Sequence, residues 1–203
     1  MKKQIFNSLL GILILFASCS KETELKKSVF IPDDVYPDLP AYTEWGYNTF
    51  GAFYDRELFV YNDNTVPVKV INTSGKTSFT LKGEKSSASY SSYDYSDMSM
   101  SFDLYGFSPE SYTDLLALND TLINLTDTLC KVSVLIGASN YEAEILNGTL
   151  EFKRAQNLLV DKKQIEVILS GIFEFQAIID GEPVSITLGR FDVGVGPDNF
   201  FKY

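Results

Sequence analysis

The chain has 203 residues, 45% hydrophobic and 14% aromatic, with 17 basic and 27 acidic side chains, a net charge of -10 and no histidine. That length can bury a core in one domain, and so acidic a chain without a Lys/Arg cluster would be repelled by nucleic-acid phosphates. The absence of histidine excludes every His-dependent triad and the commonest transition-metal ligand; no catalytic residue, metal ligand or cofactor site is expected.

Met1-Lys2-Lys3 gives a basic start, and Leu9 to Ala17 is an apolar run broken only by Gly11. It is too short for a bilayer span, which needs roughly 20 residues, and reads as the apolar region of a secretory leader. Ala17-Ser18-Cys19 at its end resembles the bacterial lipobox, where a peptidase cuts just before the cysteine. The resemblance implies that 1–18 is a leader and that Cys19 becomes the mature N-terminus, carrying a diacylglyceryl thioether and an N-acyl chain. Each buried methylene contributes about 0.8 kcal/mol, so several chains hold a protein on a membrane. Residues 19–45 are polar and carry Pro32, Pro37 and Pro40, which reads as a tether. Glu22 and Glu24, soon after the cysteine, resemble the surface-export tag of Bacteroidetes lipoproteins. The implied address is the bacterial outer membrane, lipid-anchored, with the domain at the cell surface.

Residues 46–203 read as a single β-rich domain of period-two segments between turns. Thr49–Tyr54 and Glu57–Tyr61 flank a tight turn at Asp55-Arg56. Val66–Asn72 and Thr77–Lys82 follow. Ser86–Ser101 is biased toward Ser and Tyr, compatible with a loop or with a solvent-facing strand pair. Ser108-Pro109-Glu110 offers a helix start ahead of Leu115, Leu116 and Leu118. Lys131–Ile136 follows, and Cys130 just before it shares phase with Val132, Val134 and Ile136 and should face the core as a small hydrophobe. After Tyr141–Ile145, Asn147-Gly148 predicts a hairpin turn.

Asp180-Gly181 between Gln164–Ile179 and Glu182–Val195 predicts another hairpin. Placing Ile179 opposite Glu182 sets Ala177 against Val184, Phe175 against Ile186 and Phe173 against Leu188, with an apolar face and a polar one. A bulge near Gly189-Arg190 would then bring Val193 opposite Leu169. The expected class is all-β, an antiparallel sandwich or open barrel of meandering hairpins with one short helix.

Asn48-Thr-Phe-Gly-Ala-Phe, Ser170-Gly-Ile-Phe-Glu-Phe and Gly189-Arg-Phe-Asp-Val resemble motifs of an uncharacterised Bacteroidetes lipoprotein family: N-T-F-G-(A/C), S-G-x-F-x-F and G-R-F-D-(V/M). They bracket most of the body, although Tyr54-Asp-Arg-Glu departs from that family's first turn and 74–129 matches nothing. The resemblance implies a β-rich lipoprotein and carries over no catalytic residue.

Four groups bear on chemistry. Tyr90, Tyr93 and Tyr95, with Trp45, Tyr47 and Tyr105, offer flat apolar bodies with polar tips suited to sugar rings, although tyrosines also decorate sheets without any ligand. Glu174, Glu182, Asp192 and Asp198 are the carboxylates from which a glycosidase pair would come, and Arg190 with Asp192 reads as a structural pair or a bulge signature. Asp120-Thr121-Leu122 and Asp127-Thr128-Leu129 resemble the O-glycosylation pattern of Bacteroidetes exported proteins, making Thr121 and Thr128 candidate glycan acceptors. Asn62-Asp-Asn64 and Asp94…Asp97 lack the spacing of a calcium loop. The expected function is a membrane-anchored binding or structural module of the cell envelope, with a glycan or another envelope protein as partner. The alternatives are a carboxylate-based hydrolase and a structural component of a surface assembly.

Overall fold

The computed structural model describes residues 26–89, 92–160 and 162–203, with the backbone alone for 87–89 and 92–94. The leader and Cys19 lie outside the described residues. Strands β1 (Thr49–Tyr54) and β2 (Glu57–Val60) form the hairpin expected across Asp55-Arg56, with Tyr54 opposite Glu57. They are followed by β3 (Val68–Thr73), β4 (Lys76–Ser89) and β5 (Ser92–Tyr105). A 3-10 helix (Tyr112–Leu118) precedes β6 (Thr121–Asn124), β7 (Cys130–Ile136) and β8 (Ser139–Glu142). The chain ends with β9 (Glu144–Val160), β10 (Lys163–Ile179), β11 (Glu182–Val195) and β12 (Phe200–Lys202).

These strands make one large sheet in the order β6-β9-β10-β11-β1-β2-β4-β5-β7-β8, with β3 pairing the first half of β4 and β12 pairing β3. The ladder is antiparallel except for β12 and β3, which run parallel. The sheet is not closed, but it curls until strands far apart in that order face each other. Phe79 of β4 meets Phe152 of β9 at 5.4 Å between ring centroids, and Phe102 of β5 meets Phe173 of β10 at 5.2 Å. Edge-to-face packing of this kind adds to the area the rings bury. The space left among Phe79, Phe102, Phe152 and Phe191 is about 10 Å³, a small void in a dry, close-packed wall. Cys130 is buried there beside Val132 and Val134, as its phase required.

The Asp180-Gly181 hairpin forms with both turn residues at positive φ, 55° and 79°. Ala177 pairs Val184 and Phe175 pairs Ile186, while Leu169 pairs Val193 as expected. The extra residue enters earlier than expected, however. Phe173 lies opposite Gly189 rather than Leu188, and Leu188 takes φ 52°. The reason is steric: a Cβ on Gly189 would stand 2.5 Å from the Phe173 ring, so that ring lies over the bare glycine.

Asn147-Gly148 is not a turn. Both residues lie inside β9, paired with Gln176 and Phe175, and a bulge at Leu146 absorbs the phase change. Gly148 is required because a Cβ there would sit 2.2 Å from the Phe175 Cβ. The described residues of Ser86–Ser101 belong to a strand pair, the β4–β5 ribbon. The helix starts later than Pro109: Asp114 accepts from the backbone N–H groups of Glu110 and Ser111, while the Pro109 carbonyl accepts from Asn72 Nδ2.

The described part of the expected tether is docked. The Val29 N–H donates to the Tyr47 carbonyl and Ala41 N–H to that of Ile31, so the segment doubles back and drives Leu39 into full burial. Pro40 and Leu39 occupy the space beside Gly51. This strap covers the outer face of β10 and β11, with Gly46 against Ile168. Hence 166–171 and 191–195 are buried on both faces, where one polar face was expected.

Candidate functional site

Asp192 fastens the strap. Its side chain is buried, and it accepts from Thr43 Oγ1 (2.5 Å), Ser170 Oγ (2.8 Å) and the backbone N–H groups of Trp45, Gly46 and Tyr47 (3.1, 2.8 and 3.2 Å). Five donors converging on one carboxylate make a structural clasp. Arg190 does not pair with Asp192. Its Nη1 donates to Asp33 Oδ2 at 2.6 Å and its Nε to the Leu188 carbonyl. Asp33 also accepts from Tyr36 and Val35 N–H groups, and these bonds, with Arg190, hold its carboxyl below the usual range.

The other expected carboxylates are scattered. Glu174 is exposed on β10, and Glu182 is exposed at the start of β11. Roughly 13 Å of strand separates Glu174 from Ser170, the partner of Asp192. The aromatic platform is likewise not assembled from the expected residues. Tyr90 and the side chain of Tyr93 lie outside the described residues, and Tyr95 is exposed opposite Ser86. Tyr105 stands about 33 Å along β5 from Tyr95, while Trp45 belongs to the strap. Thr121 is half-buried at the start of β6 opposite Phe152, and Thr128 is exposed in the turn before β7.

A cleft of about 570 Å³, within the range of small-ligand sites, opens beside β3, β10 and β12. Val66, Val68, Ile165, Tyr112 and Phe201 supply its apolar wall. Around these stand Lys26, Lys69, Lys82 and Lys163, with Glu166 and Asp198. Smaller depressions of about 380 and 310 Å³ lie by Asp63, Glu84 and Asp97 and by Tyr42, Glu174 and Arg190.

The cleft is built where the sheet's last strands return. β12 runs beside β3, Phe200 opposite Val70, which brings Phe201 to the rim. The bend from Gly196 to Asn199 is held by Asn199, whose Oδ1 accepts from Gly196 N–H and whose Nδ2 reaches the Gly194 and Val68 carbonyls. Glu166 lies on a floor cleared by glycines: a Cβ on Gly194 would stand 2.2 Å from its Oε2, and one on Gly196 would stand 2.9 Å from its Cγ. Burial raises the Glu166 pKa above the ordinary carboxyl value, Lys26 opposes the shift, and Asp198 adds to it. Lys26 in turn forms an ion pair with Asp198.

Of the acids singled out from sequence, the structure brings only Asp198 to this cleft, beside Glu166. The missed signals were local: a glycine pair, Gly194 and Gly196, across the hairpin from Glu166, and Ile168 lying in the polar phase. Among the described residues, no helix is long and apolar enough to cross a membrane. The sheet path ends in the short strands β6 and β8; β6 pairs only Thr149–Phe152 of β9, so the rest of that strand's outer edge has no strand partner among the described residues. Comparison with protein-family models, with curated proteins and with solved structures gives no match to this chain.

Proposed function

We propose that the chain is a lipid-anchored protein of the bacterial outer membrane whose β domain binds an envelope or external glycan at the cleft between β3, β10 and β12. The cleft itself carries this reading: it is concave and apolar-walled, with polar groups at its rim, as small-ligand sites are. Its rim includes Lys26, which a fully extended chain keeps within roughly 25 Å of Cys19. An acylated Cys19 would therefore hold the cleft close to the membrane surface. The family that the Asn48, Ser170 and Gly189 motifs resemble is one of exported lipoproteins, in keeping with this address.

Calorimetry of the wild type and of Phe201→Ala/Tyr112→Ala against a panel of oligosaccharides tests the site. At least one saccharide should bind, and the double variant should weaken it at least tenfold; unchanged affinity in the variant would place the site elsewhere. For the anchor, Cys19→Ala should move the protein from the detergent phase to the aqueous one.

Glu166 beside Asp198 favours hydrolysis as a second reading, since a carboxyl held toward its protonated form is what a general acid needs. Release of reducing ends by the wild type, abolished in Glu166→Gln, would replace binding by hydrolysis.

A further inference from the structure

The cleft's charge runs against that of the chain. With ten more acids than bases overall, most lysines are expected to be neutralised by a nearby carboxylate. Many are: Lys76 pairs Asp103, Lys85 pairs Glu57, Lys131 pairs Glu142, Lys153 pairs Glu151 and Lys202 pairs Glu110. Five others have no carboxylate within ion-pair distance among the described residues: Lys27 and Lys162, which do not line the cleft, and Lys69, Lys82 and Lys163, which do. These last three are all exposed. Two rest on aromatic faces instead. The Lys69 ammonium lies 5.1 Å from the centre of the Phe201 ring, and that of Lys82 lies 5.7 Å from the centre of Tyr61. A ring face steadies an ammonium without cancelling its charge, which stays available to an incoming anion.

A second observation points the same way. The Gln164 side-chain nitrogen on the cleft wall is shielded from solvent and has no acceptor among the described residues. Buried donors are normally satisfied, and leaving one unpaired costs about 1–3 kcal/mol. Turned into the cleft, that donor would be satisfied by an oxygen-rich ligand there. Val66, Val68, Ile165 and Tyr112 meanwhile give an apolar surface on which the C–H face of a sugar ring can rest.

We infer that the cleft is selective for an acidic saccharide, a chain of carboxylated or otherwise anionic sugars, with Lys69, Lys82 and Lys163 meeting its charges and the β3–β12 wall meeting its rings. This rests on the reading of the cleft as the glycan site and adds the ligand's charge to it. A neutral saccharide would leave three ammonium groups without counter-charge, while a bare anion would leave the apolar wall unused.

The full chain in detergent is titrated calorimetrically with an oligogalacturonide of about six sugars, a neutral malto-oligosaccharide of equal length, and inorganic phosphate. Phosphatidylglycerol vesicles are tested by co-sedimentation with the Cys19→Ala chain. The acidic oligomer should bind at least tenfold more tightly than the neutral one and should weaken severalfold as salt rises from 50 to 300 mM. Lys69→Gln/Lys82→Gln should lower its affinity at least tenfold, and Lys76→Gln, an ion-paired lysine outside the cleft, should leave it unchanged. Equal binding of both oligomers overturns charge selection and leaves the glycan site standing. Binding of neither overturns the glycan reading and this inference together. Phosphate binding as tight as the acidic oligomer removes the role of the sugar rings. Vesicle capture lost in the double variant, without saccharide binding, makes the partner a lipid surface.

Discussion

Truncating Asp192 to alanine strips one acceptor from five donors at once. Oδ1 serves Gly46 N–H and Ser170 Oγ, while Oδ2 serves Thr43 Oγ1 and the N–H groups of Trp45 and Tyr47. A hydrogen bond to a charged group contributes about 1.5–3 kcal/mol. The strap donors are only part-buried, so some would recover water, and the two hydroxyls can rotate toward other acceptors. The expected loss is therefore about 3–5 kcal/mol, the range for removing one partner of a buried charged network. With m near 2 kcal/mol/M in urea, the midpoint should fall by about 2 M. Asp192→Asn should cost less, about 1.5–3 kcal/mol. If its NH2 takes the Oδ1 position, Ser170 can turn its hydroxyl to accept and only Gly46 N–H is orphaned. Trp45, the one tryptophan of the chain, reports on the strap by fluorescence, and far-ultraviolet circular dichroism reports on the sheet. Both transitions should move together, because buried Leu39 ties the strap into the body. A loss below about 1 kcal/mol, or a fluorescence midpoint that falls alone, would refute the claim that this clasp is integral to the fold.

Cys130 should be inert in the native state. Burial pushes its thiol up to about 12, so thiol reagents should react at the rate of unfolding and rapidly only in denaturant. Glu166 gives a pH dependence of definite sign: its pKa is raised on folding, so the folded state binds the proton more tightly. Stability should fall as pH climbs from the ordinary carboxyl value of 4.5 through the raised one; Glu166→Gln should flatten that segment and be at least as stable as wild type at pH 7. Denaturation profiles from pH 4 to 8 check both points, and a variant less stable at pH 7 by more than about 1 kcal/mol contradicts them. Gly148→Ala drives a Cβ into Phe175 and should cost more than about 3 kcal/mol, whereas Gly75→Ala meets open space at φ 83° and should cost about 1 kcal/mol, both read from urea midpoints.

The legible parts of the fold were those fixed by neighbours in sequence. Asp180-Gly181 supplies two positive-φ residues between alternating strands, so the β10–β11 register could be counted outward from the turn. Asn147-Gly148 has the same chemistry and a different cause. There the missing side chain makes room for Phe175, which approaches from a strand nearly thirty residues away, and local chemistry cannot tell the two cases apart. The docking of the strap escapes a local reading for a related reason. Its prolines do rule out regular structure, but Leu39, Asp33 and Gly46 find partners on strands that the linear chain does not place beside them. The cleft was the least legible feature. Lys69, Lys82 and Lys163 each look like an ordinary outward residue of a strand; β3 brings Lys69 beside β4 and its Lys82, the parallel pairing of β12 with β3 sets Phe201 under Lys69, and Lys163 comes from the distant β10.

That late pairing also sets an order of events. Beyond its local hairpin with β2, β1 pairs β11, Phe50 opposite Phe191, and β3 receives β12 from the last residues of the chain. Neither contact can form locally, so both closures must await the C-terminal strands, and folding should run in the slow range of sheet proteins, milliseconds to seconds. Until Phe200–Lys202 has docked, the cleft lacks Phe201, and Lys69 lacks the ring that steadies it. Ligand capture should therefore appear as the final kinetic phase of refolding, after the sheet's own signal has settled.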